Sequence, residues 1–214
     1  MNITYSQLED FLMEVHGVAP EKRVALKGRL KHFQRLGWPI GTNKGKGARV
    51  NYDIGQTINL AMGFEMLQLG LTPERVVDHF SLTGTTLAYG IAEVLKNYGK
   101  KNESVYYIFY PESLSTLRDA TMDGQKTGLQ SQLVSASKLQ DALSMASLHW
   151  TRRFAMIDIA GLLKTYVEYF LKHGLQSPDQ LIEAVQNWQN VERDLSAAKL
   201  NLTIRSMKSR YGHT

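Results

Sequence analysis

Apolar residues near the start of the chain recur with the spacing of an amphipathic helix. Four of them, from Leu8 to Val15, stand at i, i+3, i+4 and i+7 and so share one face. Ser6 and Glu9 have the spacing of a capping box, which predicts that this helix begins at Ser6. Gly17–Pro20 predicts a short turn, because glycine suits the left-handed position after a helix and proline suits the first turn of the next one.

The second predicted helix, Glu21–Leu36, has an apolar face and a basic face. Leu26, Leu30 and Phe33 fall within about a quarter turn of one another, so we expect them to face the core. The opposite side is basic, and the glycine in its middle costs about 1 kcal/mol of helix stability relative to alanine while permitting close approach to a groove. Solvated helix faces usually mix charge signs, so a face with almost no acid favours DNA contact over a plain solvated surface. The candidate DNA-contacting residues of this helix are Arg23, Lys27, Gly28, Arg29, Lys31 and Arg35.

A glycine-rich segment follows, between two short runs with the character of strands. Trp38–Ile40 and Ala48–Tyr52 flank Gly41–Gly47, which predicts a β-hairpin, or wing, with a cationic tip. A glycine-rich tip can lie close to a phosphate backbone, where both amide and ammonium groups donate hydrogen bonds. The candidate phosphate-contacting residues of the wing are Lys44, Lys46 and Arg49.

Two further helices complete the front third of the chain. Ile54–Leu69 contains a single charged residue, Glu65, and is therefore expected to be buried on most sides. Thr72-Pro73-Glu74 combines an N-cap, a first-turn proline and an acid that suits the helix dipole. This combination predicts a new helix after Gly70.

The order helix, turn, basic helix, wing, apolar helix resembles the winged helix-turn-helix head of MerR-type bacterial transcription regulators. The resemblance covers roughly residues 4–80 and rests on Gly17-Val18 in the turn, Arg49 and Tyr52 at the end of the wing, and the segment Leu69–Val76. It implies that residues 1–82 form a winged helix-turn-helix DNA-binding domain, with the second helix in the major groove and the wing on the backbone.

The rest of the chain has a different pattern. Val105–Tyr110 and Phe154–Ile159 are strand candidates that are expected to pair. Asp158, inside the second run, is expected to need Arg152 or Arg153 as an ion-pair partner. A turn is predicted at Ser81–Thr85, and helices are predicted at Thr86–Tyr98, from Pro111-Glu112, at Leu129–Trp150, from Leu162 to Gly174 and from Ser177 to about Asp194.

These elements predict a fold that is mainly α with small β. The N-terminal winged helix-turn-helix is followed by a C-terminal helical α+β domain, residues 83–198, and by a basic tail, residues 199–214. We expect residues 83–198 to dimerise, and an effector site within them is left open.

Charge is distributed unevenly, and the distribution changes the functional picture. The net charge of +5 hides a surplus of eight between Glu21 and Val50, where nine basic residues accompany one acid. Residues 199–214 add four basic residues and no acid, so the remainder of the chain is acidic. Such asymmetry points to a polyanion-binding face, with nucleic acid as the first candidate.

Composition excludes several other classes of protein. The chain has no cysteine, which excludes a disulfide framework, a thiolate zinc site and a cysteine nucleophile. Its histidines form no metal-binding pair, no serine-nucleophile motif is present, and acidic pairs such as Glu9-Asp10 have the character of ordinary surface. We therefore expect no enzymatic activity, no metal and no cofactor. No apolar run approaches the ~18–20 residues of a membrane span, so we expect no membrane partner and a cytoplasmic, nucleoid-associated location.

The predicted function is a sequence-specific double-stranded DNA-binding transcription regulator. It is expected to act as a homodimer, because one short winged helix rarely supplies enough phosphate contacts alone. RNA polymerase is left open as a further partner. Two other functions stay open: a phage or mobile-element architectural or recombination-directionality protein that bends DNA, and an RNA-binding or protein-adaptor module.

Overall fold

The chain folds into helices and two small antiparallel sheets. The computed structural model describes residues 2–42, 50–97, 104–111, 131–148 and 154–211, with the backbone alone for residues 82, 145–148 and 195–211. A mostly helical fold with little β structure agrees with the predicted class. The helices are α1 (Tyr5–Val15), α2 (Arg23–Arg35), α3 (Ile54–Gln68), α4 (Pro73–Lys96), α5 (Leu139–Leu148), α6 (Ile159–Lys172) and α7 (Pro178–Tyr211), with short 3₁₀ turns at Pro20–Lys22 and Ala136–Lys138.

The strands form one sheet in the front third and one in the second region. In the first, β1 and β2 pair antiparallel with Ile3 opposite Tyr52. In the second, β3 lies between β4 and β5 and is antiparallel to both, so the expected pairing of the two strand candidates is confirmed. The strands are β1 (Asn2–Thr4), β2 (Asn51–Asp53), β3 (Val105–Phe109), β4 (Ser131–Ser135) and β5 (Ala155–Asp158).

Helix α1 begins earlier than the sequence predicted. Its capping box is formed by Thr4 and Gln7: the Thr4 hydroxyl accepts from the Gln7 amide at 3.3 Å, and the Gln7 side chain accepts from the Thr4 amide at 2.9 Å. The prediction that Ser6 and Glu9 form this box was wrong, because the chain turns directly from β1 into α1 and Glu9 is buried against α2. The turn after α1 is as predicted, with Gly17 in the left-handed region at φ +60°.

The predicted wing is only partly recovered. Trp38–Ile40 is not a strand, and β2 pairs with the N-terminal β1 instead. The reason is that Trp38 is used in the core, where its ring lies 4.9 Å from the rings of both Phe33 and Phe80. Residues 43–49, which carry the predicted tip, lie outside the described residues.

Helix α4 runs without a break through the predicted turn at Ser81–Thr85. The hydroxyls of Ser81 and Thr83 donate to the carbonyls of Asp78 and His79 at 2.7 and 2.8 Å, within the helix, so they do not interrupt it. The domain boundary predicted at residues 82/83 therefore falls inside α4.

The second region departs from the prediction in three places. Of the helix predicted at Leu129–Trp150, the structure describes residues 131–148, in which Ser131–Ser135 is strand β4, paired with β3, and α-helix is confined to Leu139–Leu148. Asp158 is exposed, and its carboxylate caps α6 by accepting from the Gly161 amide at 3.1 Å. Its predicted partners, Arg152 and Arg153, lie outside the described residues, as does the helix start predicted at Glu112. Finally, α7 continues past Asp194 to Tyr211, so the backbone of the basic tail is helical to that point.

One apolar core joins the front third to the rest of the chain. Phe11 of α1 packs against the rings of Tyr166, Tyr169 and Phe170 of α6 at 5.1–5.2 Å. Trp188 of α7 is 8% exposed and lies against the start of α3. Among the described residues, none of the helices combines the length and the apolar content that crossing a membrane requires.

Candidate nucleic-acid interface

Helix α2 presents two opposite faces, and its apolar face is the one that the sequence predicted. Leu26, Leu30 and Phe33 are at most 3% exposed and belong to the core. On the side away from the core lies a row of exposed residues, spaced four, three and four positions apart, which share one face of a helix. This row, called the outer stripe below, consists of Val24, Gly28, Lys31 and Arg35.

Two of the predicted DNA-contacting cations are instead paired with acids of α1. Arg23 donates to Asp10 at 2.6 Å and lies 3.5 Å from Glu9, and Lys27 lies 3.3 Å from the same Glu9 oxygen. The hydrogen bond to Asp10 raises the pKa of Arg23 above its ordinary value. The expectation that the basic face lacks acidic partners therefore fails at these two positions, because the partners come from the preceding helix.

Glu9 is the buried member of this cluster. It is 2% exposed, although its neighbours Arg23 and Lys27 keep about two-fifths of their side-chain surface in solvent. A buried carboxylate needs compensating charge, and the two cations of α2 supply it. Burial, with a smaller contribution from the Glu9 charge, raises the pKa of Tyr5 to about 12.

Further contacts fix the rotation of α2 about its axis. His32 Nε2 lies 2.8 Å from a carboxylate oxygen of Glu74 in the first turn of α4. Near the end of α2, the side-chain amide of Gln34 donates to the Tyr52 hydroxyl of β2 at 2.6 Å. Because α2 is held by α1, α4 and β2 as well as by its apolar face, the outer stripe has a fixed direction.

The remaining cations of α2 are exposed. Lys31 and Arg35 have no carboxylate within 4 Å among the residues that the structure describes, and Arg29 makes only a long contact from its guanidinium to the Ala25 carbonyl, at 3.5 Å. The structure thus divides the six candidates on α2. Lys31 and Arg35 share the outer stripe with Gly28, Arg29 is exposed on a different side of the helix, and Arg23 and Lys27 are turned towards α1.

Gly28 has no packing role in the described part of the chain. A Cβ at this position would meet nothing within 4 Å, so the fold has room for a methyl group there. Glycine inside a helix costs about 1 kcal/mol relative to alanine. The backbone of α2 is therefore open to an external partner at the centre of the outer stripe.

The wing candidates Lys44, Lys46 and Arg49 lie outside the described residues, but the ends of their segment are placed. On one side, the Gln56 side chain of α3 donates to the Ile40 carbonyl at 2.8 Å. On the other side, the chain enters β2 at Asn51. In the described part of the chain, no group of three or more His, Cys, Asp or Glu residues is arranged to hold a metal ion.

The sequence missed two features of this interface. Glu9 and Asp10 were interpreted as ordinary surface, and the apolar residue at the start of the outer stripe, Val24, was not singled out although it is 80% exposed. The only available signal was the helical position of Val24 on the side opposite Leu26 and Leu30. The partners of Arg23 depend on how α1 and α2 cross, which periodicity does not specify.

Comparison with protein-family models, with curated proteins and with solved structures finds no match to this chain.

Proposed function

We propose that the chain is a sequence-specific double-stranded DNA-binding transcription regulator that acts as a homodimer. In this proposal residues 1–82 act as a MerR-like winged helix-turn-helix, and α2 enters the major groove by its outer stripe. The observation that carries the proposal is that Lys31 and Arg35 point away from the core, beside the open backbone at Gly28, with no carboxylate against them in the described residues.

The charges of α2 support different roles for different residues. Lys31 and Arg35 are free to donate to base edges or phosphates, whereas Arg29, exposed on a different side of α2, is assigned to phosphate contact alone. Arg23 and Lys27 already neutralise Glu9 and Asp10. A phosphate has to compete with those carboxylates, so we assign Arg23 and Lys27 a smaller share of the binding free energy.

The wing is proposed as the second contact. Its cations, Lys44, Lys46 and Arg49, belong to residues 43–49, which are flanked by the Gln56 contact to the Ile40 carbonyl on one side and by β2 on the other. Because β2 is paired with β1 and capped onto α3 through Asp53, the base of this segment is fixed relative to α2. Cations on such a segment are suited to phosphate contact.

Dimerisation is proposed for residues 83–198. A single helix reads only a short stretch of base pairs, and a two-fold axis doubles both the contacts and the specificity. The expected operator is therefore an inverted repeat whose half-sites are about 10 base pairs apart, or a multiple of that distance.

Selection of bound fragments from a genomic DNA library by the full chain tests the proposal. We expect enrichment of a short inverted repeat over a control with no protein. Enrichment of unrelated fragments that are lost uniformly as salt increases would indicate an architectural protein instead. No enrichment over the control would contradict DNA binding.

A further inference from the structure

Val24 is an apolar side chain displayed where the proposed DNA contact lies. It is 80% exposed, more than any other exposed large hydrophobic residue in the described part of the chain. Isolated exposed apolar residues are common on protein surfaces. Val24 differs from them in its position, because it shares the outer stripe of α2 with Lys31 and Arg35.

The neighbours of Val24 leave it uncovered. Arg23, the preceding residue, is drawn towards α1 by Asp10 and Glu9, and Lys27 is drawn the same way by Glu9. One turn further along, Gly28 has no side chain to shield it, and a Cβ there would meet no neighbour. The first two turns of α2 therefore present an apolar group, with cations only further along the stripe.

This combination defines the partner that fits. Lys31 and Arg35 would bind the negative groups of a polyanion. Val24 would pack against an apolar group that lies between those negative groups. Along the helix axis, Lys31 and Arg35 follow Val24 by roughly 10 and 16 Å, at 1.5 Å per residue. The negative groups and the apolar group of the partner are therefore expected at a similar separation, which is about the width of the DNA major groove. In the major groove of duplex DNA, the C5-methyl group of thymine is the apolar group that a base pair presents.

We propose that Val24 contacts the C5-methyl group of a thymine in the major groove and so determines specificity at that base pair. The inference rests on the proposed function. Residues near the start of a recognition helix are the ones that reach base edges, and Val24 is the second residue of α2. The cations further along the stripe then reach neighbouring base edges or the flanking phosphates.

Deoxyuridine substitution tests this contact, because deoxyuridine lacks only the thymine methyl. In a duplex obtained by selection, each thymine is replaced in turn and the affinity of the full chain is measured. We expect one position in each half-site where the loss is about three- to tenfold, the scale of one buried methyl group. Val24→Ala should bind the unmodified duplex more weakly by a similar factor and be insensitive to deoxyuridine at that position.

Val191→Ala is the matched control, because Val191 is also an exposed valine on a helix, at 55% exposure. It should retain both the affinity and the deoxyuridine sensitivity of the original chain. If no thymine position matters, or if Val24→Ala keeps the full sensitivity, the inference is wrong while selective DNA binding stands. If the chain selects no duplex, the proposed function fails and the inference fails with it.

Discussion

A buried histidine links the long helix α4 to the central strand β3. His79 is fully buried, and its Nε2 lies 2.6 Å from the Tyr107 hydroxyl. That hydroxyl donates to Thr83 Oγ1 at 3.0 Å, and Thr83 Oγ1 donates to the His79 carbonyl at 2.8 Å. The Tyr107 proton is thus already used, so His79 Nε2 must carry the proton that Tyr107 accepts. The other nitrogen, Nδ1, is buried without a hydrogen-bond partner, and protonation there is unfavourable.

This arrangement predicts a loss of stability in weak acid. Burial lowers the pKa of His79 from 6.5 to about 4. Between these values the unfolded chain binds a proton that the folded chain does not, so the contribution of His79 is complete above pH 6.5 and is lost as the pH falls towards 4. The full loss is roughly 3 kcal/mol, since one pKa unit corresponds to about 1.4 kcal/mol.

Urea unfolding at several pH values from 7 to 4 measures this effect. His79→Gln keeps a donor for Tyr107 but cannot titrate, so the fall in the free energy of unfolding over this range should be smaller by roughly 3 kcal/mol. Tyr107→Phe should lower stability at every pH and leave the pH dependence in place. An unchanged pH dependence in His79→Gln would show that the pKa of His79 is the same in the folded and unfolded chains, which would contradict this account.

At the level of single residues, the sequence predicted turn and helix-cap positions better than it predicted contacts between residues on different elements. Gly17 and the Thr72 cap act as predicted, because turn and cap geometry depend on residues a few positions apart. Asp158 was expected to be buried with an arginine partner from outside the described residues; it is exposed and caps the next helix. Glu9 was expected at the surface and is buried, because its environment is created by α2 rather than by its own helix.

At the level of elements, the long periodic helices and the two apolar strands β3 and β5 were predictable, whereas β1 and β4 were not. The apolar faces of α1, α2 and α6 and the buried α3 follow from their sequence patterns. β1 has three residues, too few for a period, and β4 lies where the local sequence favours a helix. Their pairing partners override local preference. The prediction of a break in α4 was wrong because serine and threonine hydroxyls also bond within a helix.

Helix α2 offers a prediction in which stability and binding change in opposite directions. Gly28→Ala should raise the free energy of unfolding by about 1 kcal/mol, since alanine favours the helix and nothing obstructs its Cβ. The same methyl group should hold α2 away from the groove and weaken binding to the selected duplex several-fold. Urea unfolding and a binding titration measure the two effects.

Thr86→Ala provides the matched control, because Thr86 is exposed on α4, away from α2. It should also raise stability, by a few tenths of a kcal/mol according to helix propensity, and leave DNA affinity unchanged. If Gly28→Ala bound the selected duplex as tightly as the original chain, close approach at Gly28 would be excluded.

At the level of the whole molecule, α4 connects the proposed DNA-contacting helix to the second sheet. Its first turn touches α2 through Glu74 and His32, and its middle contacts β3 through His79 and Thr83. The sequence suggested a boundary at residues 82/83 because Ser81–Thr85 has the character of a turn and the winged-helix resemblance ends near residue 80. Neither feature reveals whether the helix continues, since that depends on what packs around it.

The charge distribution was the most informative property of the sequence, and the structure shows which of the charges on α2 are paired and which are exposed. Part of the surplus between Glu21 and Val50 is neutralised by Glu9 and Asp10, which pair with Arg23 and Lys27. The exposed remainder on α2 is Lys31 and Arg35 on the outer stripe, and Arg29 outside it. The cations of residues 199–210 lie on the helical continuation of α7.

Contact between the outer stripe and DNA is tested most directly by comparing two double variants that each remove two positive charges. Lys31→Ala with Arg35→Ala alters the stripe. Lys96→Ala with Lys164→Ala removes two exposed lysines from α4 and α6, which pair with Glu93 and Glu168 on their own helices.

The affinity of each full-length variant for the selected duplex and for random duplex is measured over a range of salt concentrations. We predict that the stripe variant loses at least about tenfold in affinity for the selected duplex, at ~1–3 kcal/mol per lost base contact, with a shallower salt dependence if phosphate contacts are lost. The control variant should stay within about twofold of the original chain, as surface ion pairs predict. Equal affinities of the two variants for the selected duplex would contradict the assignment of the outer stripe as the DNA-reading surface.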